Sequence, residues 1–472
     1  MIATSRAPAR ALRHLPVLFA LLTAGTTPVL AQISAESESN NTESTADGPI
    51  GSGRLVSGSM STRTDIDWFH LDLATAGTIN ITLEHAKGRD FDWALFAASG
   101  TALARGATTA IPQSGSYNAT AAGRYLVKVT AYSGSGAYTL NVTFAGTSGG
   151  GTDPRPAKPS NLQNWIAGNA ENAARQPLNG PAVLLMGGGV ENDSAFSARA
   201  FPIANGGDVV VLRTSGTNGY NDYLYGLVSG ATRPDSVETL LLDTRTKADS
   251  DYAEWVIRNA EFVFMAGGDQ SSYLNAWADT RTQSALRAAY ARGAVIGGTS
   301  AGLAVLGEFV YDPDGVTAVT SPEAIANPYR TGMMFSGTLL NAPLLNDVIT
   351  DSHFAQRDRM GRLLAFMARL RQDGTTARAV GVGVDETTSL FIDRTGLGVA
   401  DGAGAVYVIE ERADTQRTQV AAGQPLVYGN MRRTKLVAGQ GFAFADGVTD
   451  GTSTVISVDG RNAAPLIPAN AY

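Results

Sequence analysis

Between residues 182 and 297, short apolar runs recur at 182–186, 208–212, 239–243, 262–266 and 294–297, separated by polar-apolar stretches of helical length. A strand with one wet face alternates in polarity, whereas an unbroken run of four or five apolar residues is buried on both faces. That pattern constrains the fold more than any other feature of the chain. It predicts a doubly wound α/β domain, with helices on both faces of a mostly parallel sheet. Strand-like segments at 380–384, 390–392 and 405–409 follow and are expected to extend the same sheet.

Ahead of this region the rhythm is different. Residues 67–73, 78–83, 91–96, 125–129 and 138–144 alternate with period two, punctuated by Gly and Ser with no helical stretch between them. Such spacing predicts a small antiparallel β-sandwich. The runs at 65–73, 90–96 and 123–129 resemble those of the bacterial pre-peptidase C-terminal domain, which usually follows a secreted peptidase and here precedes the α/β region. Asp65, Asp67, Asp90 and Asp92 offer oxygen ligands to a hard cation, with solvated strand ends as the plainer reading.

The 472 residues divide as 1–31 signal peptide, 32–48 polar lead-in, 49–145 β-sandwich, 146–176 linker and 177–472 α/β domain. Arg6, Arg10 and Arg13 precede a short apolar stretch at 15–22, and Val29-Leu30-Ala31 offers a small residue before a cleavage point. A secreted protein, extracellular or periplasmic, is therefore expected. The apolar stretch is well short of the ~20 residues that span a bilayer, and no later segment is apolar enough.

Composition narrows the function further. Removing the three arginines takes the net charge from −7 to about −10, which disfavours nucleic acid and anionic membranes as partners. Cysteine is absent, which excludes disulfide scaffolds, zinc-thiolate sites and cysteine nucleophiles. With 44% hydrophobic residues the chain can hold itself together through its core.

Ligands bind open parallel sheets at the carboxyl ends of strands. Three Gly-rich turns fall there, at 187–189, 267–270 and 297–302. None carries a phosphate-loop lysine or the dinucleotide pattern. Gly298-x-Ser300-x-Gly302 matches a nucleophile elbow, which lifts a hydroxyl clear of the sheet, although the pattern also arises by chance in Gly-rich chains. Such a serine needs a base, and His353 is the sole histidine of the α/β region; His14 leaves with the signal, and His70 and His85 lie in the sandwich. Glu386 is the best candidate to orient His353, with the neighbouring Asp385 as the alternative. The order Ser300, His353, Glu386 excludes the lipase-esterase arrangement, in which the histidine comes last. Backbone N–H groups of Ala301 and Gly268 would be the oxyanion donors, and no metal or organic cofactor is needed.

These blocks, with Asp351-x-His353-Phe354-x-x-Arg357-x-Arg359-x-x-Arg362 and Gly381-Val382-Gly383-Val384-Asp385-Glu386-Thr387, make residues 180–440 similar to cyanophycinase and peptidase E, serine peptidases on a class I amidotransferase-like fold. The resemblance implies Ser300 as nucleophile, His353 as base and Glu386 as acid. It places Gln270, Asp351, Arg357, Arg359 and Arg362 in the substrate pocket. Ser352 stands where cyanophycinase has glutamine. On an ideal helix only Arg357 would share the face of His353, so either the segment is irregular or the other arginines brace the fold. The resemblance implies an exopeptidase that cleaves cyanophycin, an arginyl polyaspartate, to β-aspartyl-arginine through an acyl-enzyme. A related peptidase acting on other aspartyl peptides and an inactive polymer-binding protein are the alternatives. A homodimer is left open.

Overall fold

The computed structural model describes residues 33, 35–73, 76–144, 155–173, 175 and 178–472; the expected signal peptide at 1–31 lies outside the described residues. Eight strands open the chain: β1 Leu55–Met60, β2 Ile66–Leu73, β3 Gly77–His85, β4 Asp90–Ala97, β5 Ala102–Gly106, β6 Gln113–Ala119, β7 Gly123–Ser133 and β8 Gly136–Phe144. They pair antiparallel in two four-stranded sheets, ordered β1-β8-β3-β6 and β2-β7-β4-β5. The inward residues of both sheets, among them Phe69, Ile81, Trp93 and Val127, form a single core. Period-two alternation thus builds the expected sandwich.

The α/β region holds two further sheets. The first contains β9 Gln163–Gly168, β10 Ala182–Met186, β11 Asp208–Arg213, β12 Ser236–Leu241, β13 Phe262–Met265 and β14 Val295–Thr299. Strands β10, β14, β13, β11 and β12 run parallel in that order. Their alternate residues feed two cores. Val183, Leu185, Val210 and Ile296 pack with the helices Asp251–Asn259 and Arg281–Arg292. Ala182, Leu184, Val211 and Phe264 pack on the other side around Phe196 and Phe201. A strand covered on both faces has no reason to alternate in polarity, which is why the runs are continuous.

The second sheet contains β15 Phe309–Tyr311, β16 Phe335–Gly337, β17 Val348–Asp351 and β18 Val380–Val384. After β19 Thr388–Ile392 and β20 Leu397–Gly402, it continues with β21 Val406–Gln419 and β22 Val427–Leu436, while β23 Gly441–Ala443 precedes β24 Thr452–Asp459 and β25 Leu466–Ile467. Here the structure corrects the expectation of one extended sheet. β19 does join the first sheet, antiparallel to β10. β18 and β21 belong instead to the eight-stranded second sheet, ordered β16-β15-β17-β18-β21-β22-β24-β25. Continuous apolar runs report burial on both faces and say nothing of which neighbour a strand takes. The chain crosses between sheets within 385–387.

The expected linker at 146–176 is also corrected, because β9 lies inside it and pairs antiparallel with β12 as the edge of the first sheet. Its burial alternates weakly, as befits an edge. Buried Glu238 on β12 accepts hydrogen bonds from Arg155, from Asn164 Nδ2 at 2.7 Å and from Tyr252 Oη at 2.9 Å. Among the described residues, no helix is long and apolar enough to cross a membrane.

Deleting the chain up to residue 176 therefore removes two partners of a buried carboxylate, a loss of about 1–3 kcal/mol. A version beginning at Arg155 should melt like the α/β domain of the whole protein, and one beginning at 177 several degrees lower. Equal melting temperatures in calorimetry would show that β9 is dispensable.

Candidate active site

Ser300 stands between β14 and the short helix Ala301–Ala304, at the carboxyl edge of the parallel strands. Its φ of 54° and ψ of −114° lie outside the ordinary regions for an L-residue. Close packing enforces the turn. A Cβ on Gly298 would lie 2.3 Å from the Gly302 carbonyl oxygen, and one on Gly302 would lie 2.2 Å from that of Met265. The Ser300 N–H donates to the Met186 carbonyl at 3.0 Å, tying the elbow to the end of β10.

His353 follows β17, buried, with φ 45°. Its N–H donates to the Gly187 carbonyl at 2.7 Å. Its Nε2 lies 2.8 Å from Ser300 Oγ and its Nδ1 lies 2.6 Å from Glu386 Oε1. The carboxylate accepts the Nδ1–H, so Nε2 presents its lone pair to the serine hydroxyl. Glu386 lies in the crossing from β18 to β19, its N–H held by Gln356 Oε1 at 2.9 Å. Asp385 points elsewhere: it accepts from the Ala355 and Ala405 N–H groups at 2.9 and 3.0 Å. Both acids lie in the turn after β18, and there their side chains take different partners.

The turn at 187–189 carries a role that its sequence did not reveal. The Gly188 carbonyl accepts from the Thr387 N–H at 2.9 Å, as Met186 and Gly187 do from Ser300 and His353. With φ 93°, Gly188 also lies against the imidazole, where a Cβ would meet His353 Cε1 at 2.4 Å. Three glycines in a row were the available signal, readable only once the ring's position is known.

Around this group lies a cleft of about 860 Å³. Gly268, Gln270, Ser300 and Ala301 line it, together with Asp351, Ser352, Arg357, Arg359 and Arg362. The loop 313–318 supplies a further wall through Pro313 and Val316, which the motifs gave no means to find. Gln270 begins the helix Gln270–Trp277, capped by Asp269, and its Nε2 donates to the Tyr311 carbonyl at 3.3 Å.

The arginines do not act alike. Residues 352–358 form turns, and the helix Met360–Gln372 begins only afterwards. Arg362 grips Asp351 with two hydrogen bonds of 2.7 and 2.6 Å, and both residues are buried. Arg359 donates to Asp351 at 3.1 Å and to the Ser352 carbonyl at 2.8 Å. Thus the charges of Asp351 and Arg362, expected to meet substrate, are occupied with each other. Arg357 is exposed in the cleft with no ion-pair partner among the described residues. Burial lowers the pKa of His353, Arg357 and Arg359 lower it further, and the hydrogen bond to Glu386 opposes them.

In the sandwich, Asp65 and Asp67 come together with Glu38, their ligand atoms all within 4.8 Å of one another, while Asp90 and Asp92 are not in that group. Asp67 is fully buried, with Oδ1 unpaired among the described residues. Its pKa is pushed up to about 8, first by burial and then by Glu36 and Asp65, against a hydrogen bond from Tyr138. These residues have the oxygen chemistry of a hard-cation site.

Residues 233–397 match Peptidase family S51. The cyanophycinase of Nostoc sp. (strain PCC 7120 / SAG 25.82 / UTEX 2576) is 29% identical over 211 residues, 44% of this chain and 65% of that protein. The cyanophycinase of Geminocystis herdmanii (strain PCC 6308) is 31% identical over 198 residues, 41% of this chain and 66% of that one. Matches to these two relatives therefore span a little under two thirds of their length. Among solved structures, a peptidase from an acI-B1 Actinobacterium covers 56% of this chain and 97% of its own, with a TM-score of 0.38 and 14% identity. The pre-peptidase C-terminal domain of a Bacillus anthracis collagenase covers 20% of this chain and 91% of its own, with a TM-score of 0.19 and 27% identity. Residues 233–397 are thus similar to a peptidase family, which supports peptidase activity. The chain's similarity runs to the cyanophycinases in particular.

Two titrations test this geometry. The His353 ring, followed by NMR, should lose its proton below the ordinary value of ~6.5. Arg357→Ala removes a repelling charge and should raise that midpoint, whereas Glu386→Gln removes the favourable acceptor and should lower it. For Asp67 the folded value exceeds the unfolded one, so the folded state binds the extra proton between about pH 4 and 8. Stability should fall as pH rises through that window, and Asp67→Asn should flatten the dependence of melting on pH.

Proposed function

We propose that this protein is a secreted serine exopeptidase that hydrolyses cyanophycin, releasing β-aspartyl-arginine, on a class I amidotransferase-like scaffold. The observation that carries the reading is the hydrogen-bonded line from Ser300 Oγ through His353 to Glu386, opening into a cleft with Arg357, which has no ion-pair partner among the described residues. Ser300 Oγ attacks the scissile carbonyl carbon while its proton passes to His353 Nε2. Glu386 steadies the imidazolium that forms, and the Ala301 and Gly268 N–H groups receive the oxyanion. Collapse breaks the C–N bond, and His353 returns the proton to the leaving amine. Water then attacks the acyl-enzyme with the same base, releasing the new carboxylic acid and restoring the serine. A guanidinium binds a carboxylate through paired hydrogen bonds, so Arg357 suits an aspartate-rich chain despite the acidic surface. No metal or organic cofactor enters these steps.

The rest of the chain supports the same reading. The basic, apolar N-terminus is that of an exported protein. The sandwich is read as a pre-peptidase C-terminal-like domain, and the acids around Asp67 as a place for calcium.

Incubation of the purified protein with cyanophycin should release β-aspartyl-arginine. Ser300→Ala should end turnover without lowering the melting temperature, and a serine-directed phosphonate should label the wild type but not this variant. Release of other aspartyl dipeptides only would favour a related peptidase; no labelling at all would favour a polymer-binding protein. Glu386→Gln should cost up to ~10⁴ in turnover, as when an orienting carboxylate is neutralised in a serine protease. Asp385→Asn should lower stability and leave turnover within a few-fold, since Asp385 holds backbone N–H groups and not the imidazole.

A further inference from the structure

We infer that docking of the N-terminal sandwich braces the wall of the catalytic cleft, with Arg287 as the positioning residue between the two. The inference about the wall is independent of the substrate; only its kinetic consequence rests on the peptidase reading. The helix Arg281–Arg292 packs against β1 and β8 of the sandwich. The contact is incomplete, because a cleft of about 490 Å³ remains between the two domains. An ion pair spans it, in which Arg287 Nη1 reaches both carboxylate oxygens of Glu84 at the end of β3.

Arg287 faces both ways. Its Nε donates to the Leu339 carbonyl at 3.3 Å, and one turn earlier Gln283 Nε2 donates to the Thr338 carbonyl at 3.1 Å. Residues 338–339 directly follow β16, which pairs antiparallel with β15. At the far end of that strand pair, Asp312 accepts hydrogen bonds from Ser336 Oγ and from Ser271 Oγ, each at 2.6 Å. Asp312 opens the loop whose residues 313–318 form the cleft wall, and Tyr311 beside it receives Gln270. The line from Glu84 through Arg287, the 338–339 carbonyls, β16 and Asp312 is therefore continuous. Its two ends lie in different domains. Loosening the first link frees β16, the three-residue edge strand of the eight-stranded sheet, and with it the side-chain hold on Asp312, while β15 stays paired with β17.

Hydrogen exchange on the full chain reads this directly, whatever the substrate. Glu84→Gln removes the interdomain charge and leaves the bond from Arg287 to Leu339 possible; Arg287→Ala removes both. Amides in 309–319 and 335–340 should exchange about tenfold faster in either variant, with β21 and β22 unchanged. Should Arg287→Ala fail to fold, Glu84→Gln carries the test alone. Faster exchange confined to β8 and the helix Arg281–Arg292, with β15, β16 and the loop 313–318 unchanged, overturns the inference. If the domain is a peptidase, KM for a long aspartate-rich substrate should rise severalfold with kcat within twofold. A simple loss of folded enzyme would lower kcat and leave KM alone.

Discussion

The candidate site depends on one stretch of backbone, the end of β10 and the glycine turn after it. Three successive carbonyls, of Met186, Gly187 and Gly188, accept the N–H groups of Ser300, His353 and Thr387. Each donor is in, or beside, one member of the hydrogen-bonded line, so one short segment sets their mutual positions. Backbone hydrogen bonds suit this task because they involve no rotatable side chain. The cost appears as conformational strain: Ser300, His353 and Thr387 all have positive φ, although none is glycine. Such residues persist only where the surroundings over-determine them, and here the same carbonyls do so.

The line also lies on a seam. Ser300 follows a strand of the nine-stranded sheet, His353 follows a strand of the eight-stranded sheet, and Glu386 lies where the chain passes from one to the other. Rigid elements approach from both sides, which is how a hydroxyl, an imidazole and a carboxylate reach hydrogen-bonding distance without a long loop. The electrostatics at the seam are opposed by design of the packing. Burial and two arginines favour neutral His353, and Glu386 favours its charged form. A base that is neutral at rest but stabilised when protonated suits proton transfer.

Much of this was legible in the residues. Ser300, His353 and Glu386 stood out because a Gly-flanked serine, one histidine and one strand-end acid leave few combinations, and the structure brings those three together. The arginines were legible only in part. Helical spacing left it open whether the segment is irregular or Arg359 and Arg362 brace the fold; the segment proves irregular, and both arginines hold Asp351. β9 was missed because an edge strand of modest apolarity, set after a Gly- and Pro-rich stretch, has no burial signal to separate it from a linker.

The sequence alone determined the two kinds of layer, since period-two alternation and unbroken apolar runs follow from one-sided and two-sided burial. It determined the chemistry available too, through the absence of cysteine and a single histidine in the α/β region. Only the tertiary structure decided that the late strands split between two sheets, that Gly188 must leave room for an imidazole, and that Arg362 is held by Asp351 while Arg357 is exposed in the cleft. Local pattern records how deeply a residue is buried. Which distant segment buries it depends on contacts between residues far apart in the chain, and these have no signature in any single stretch.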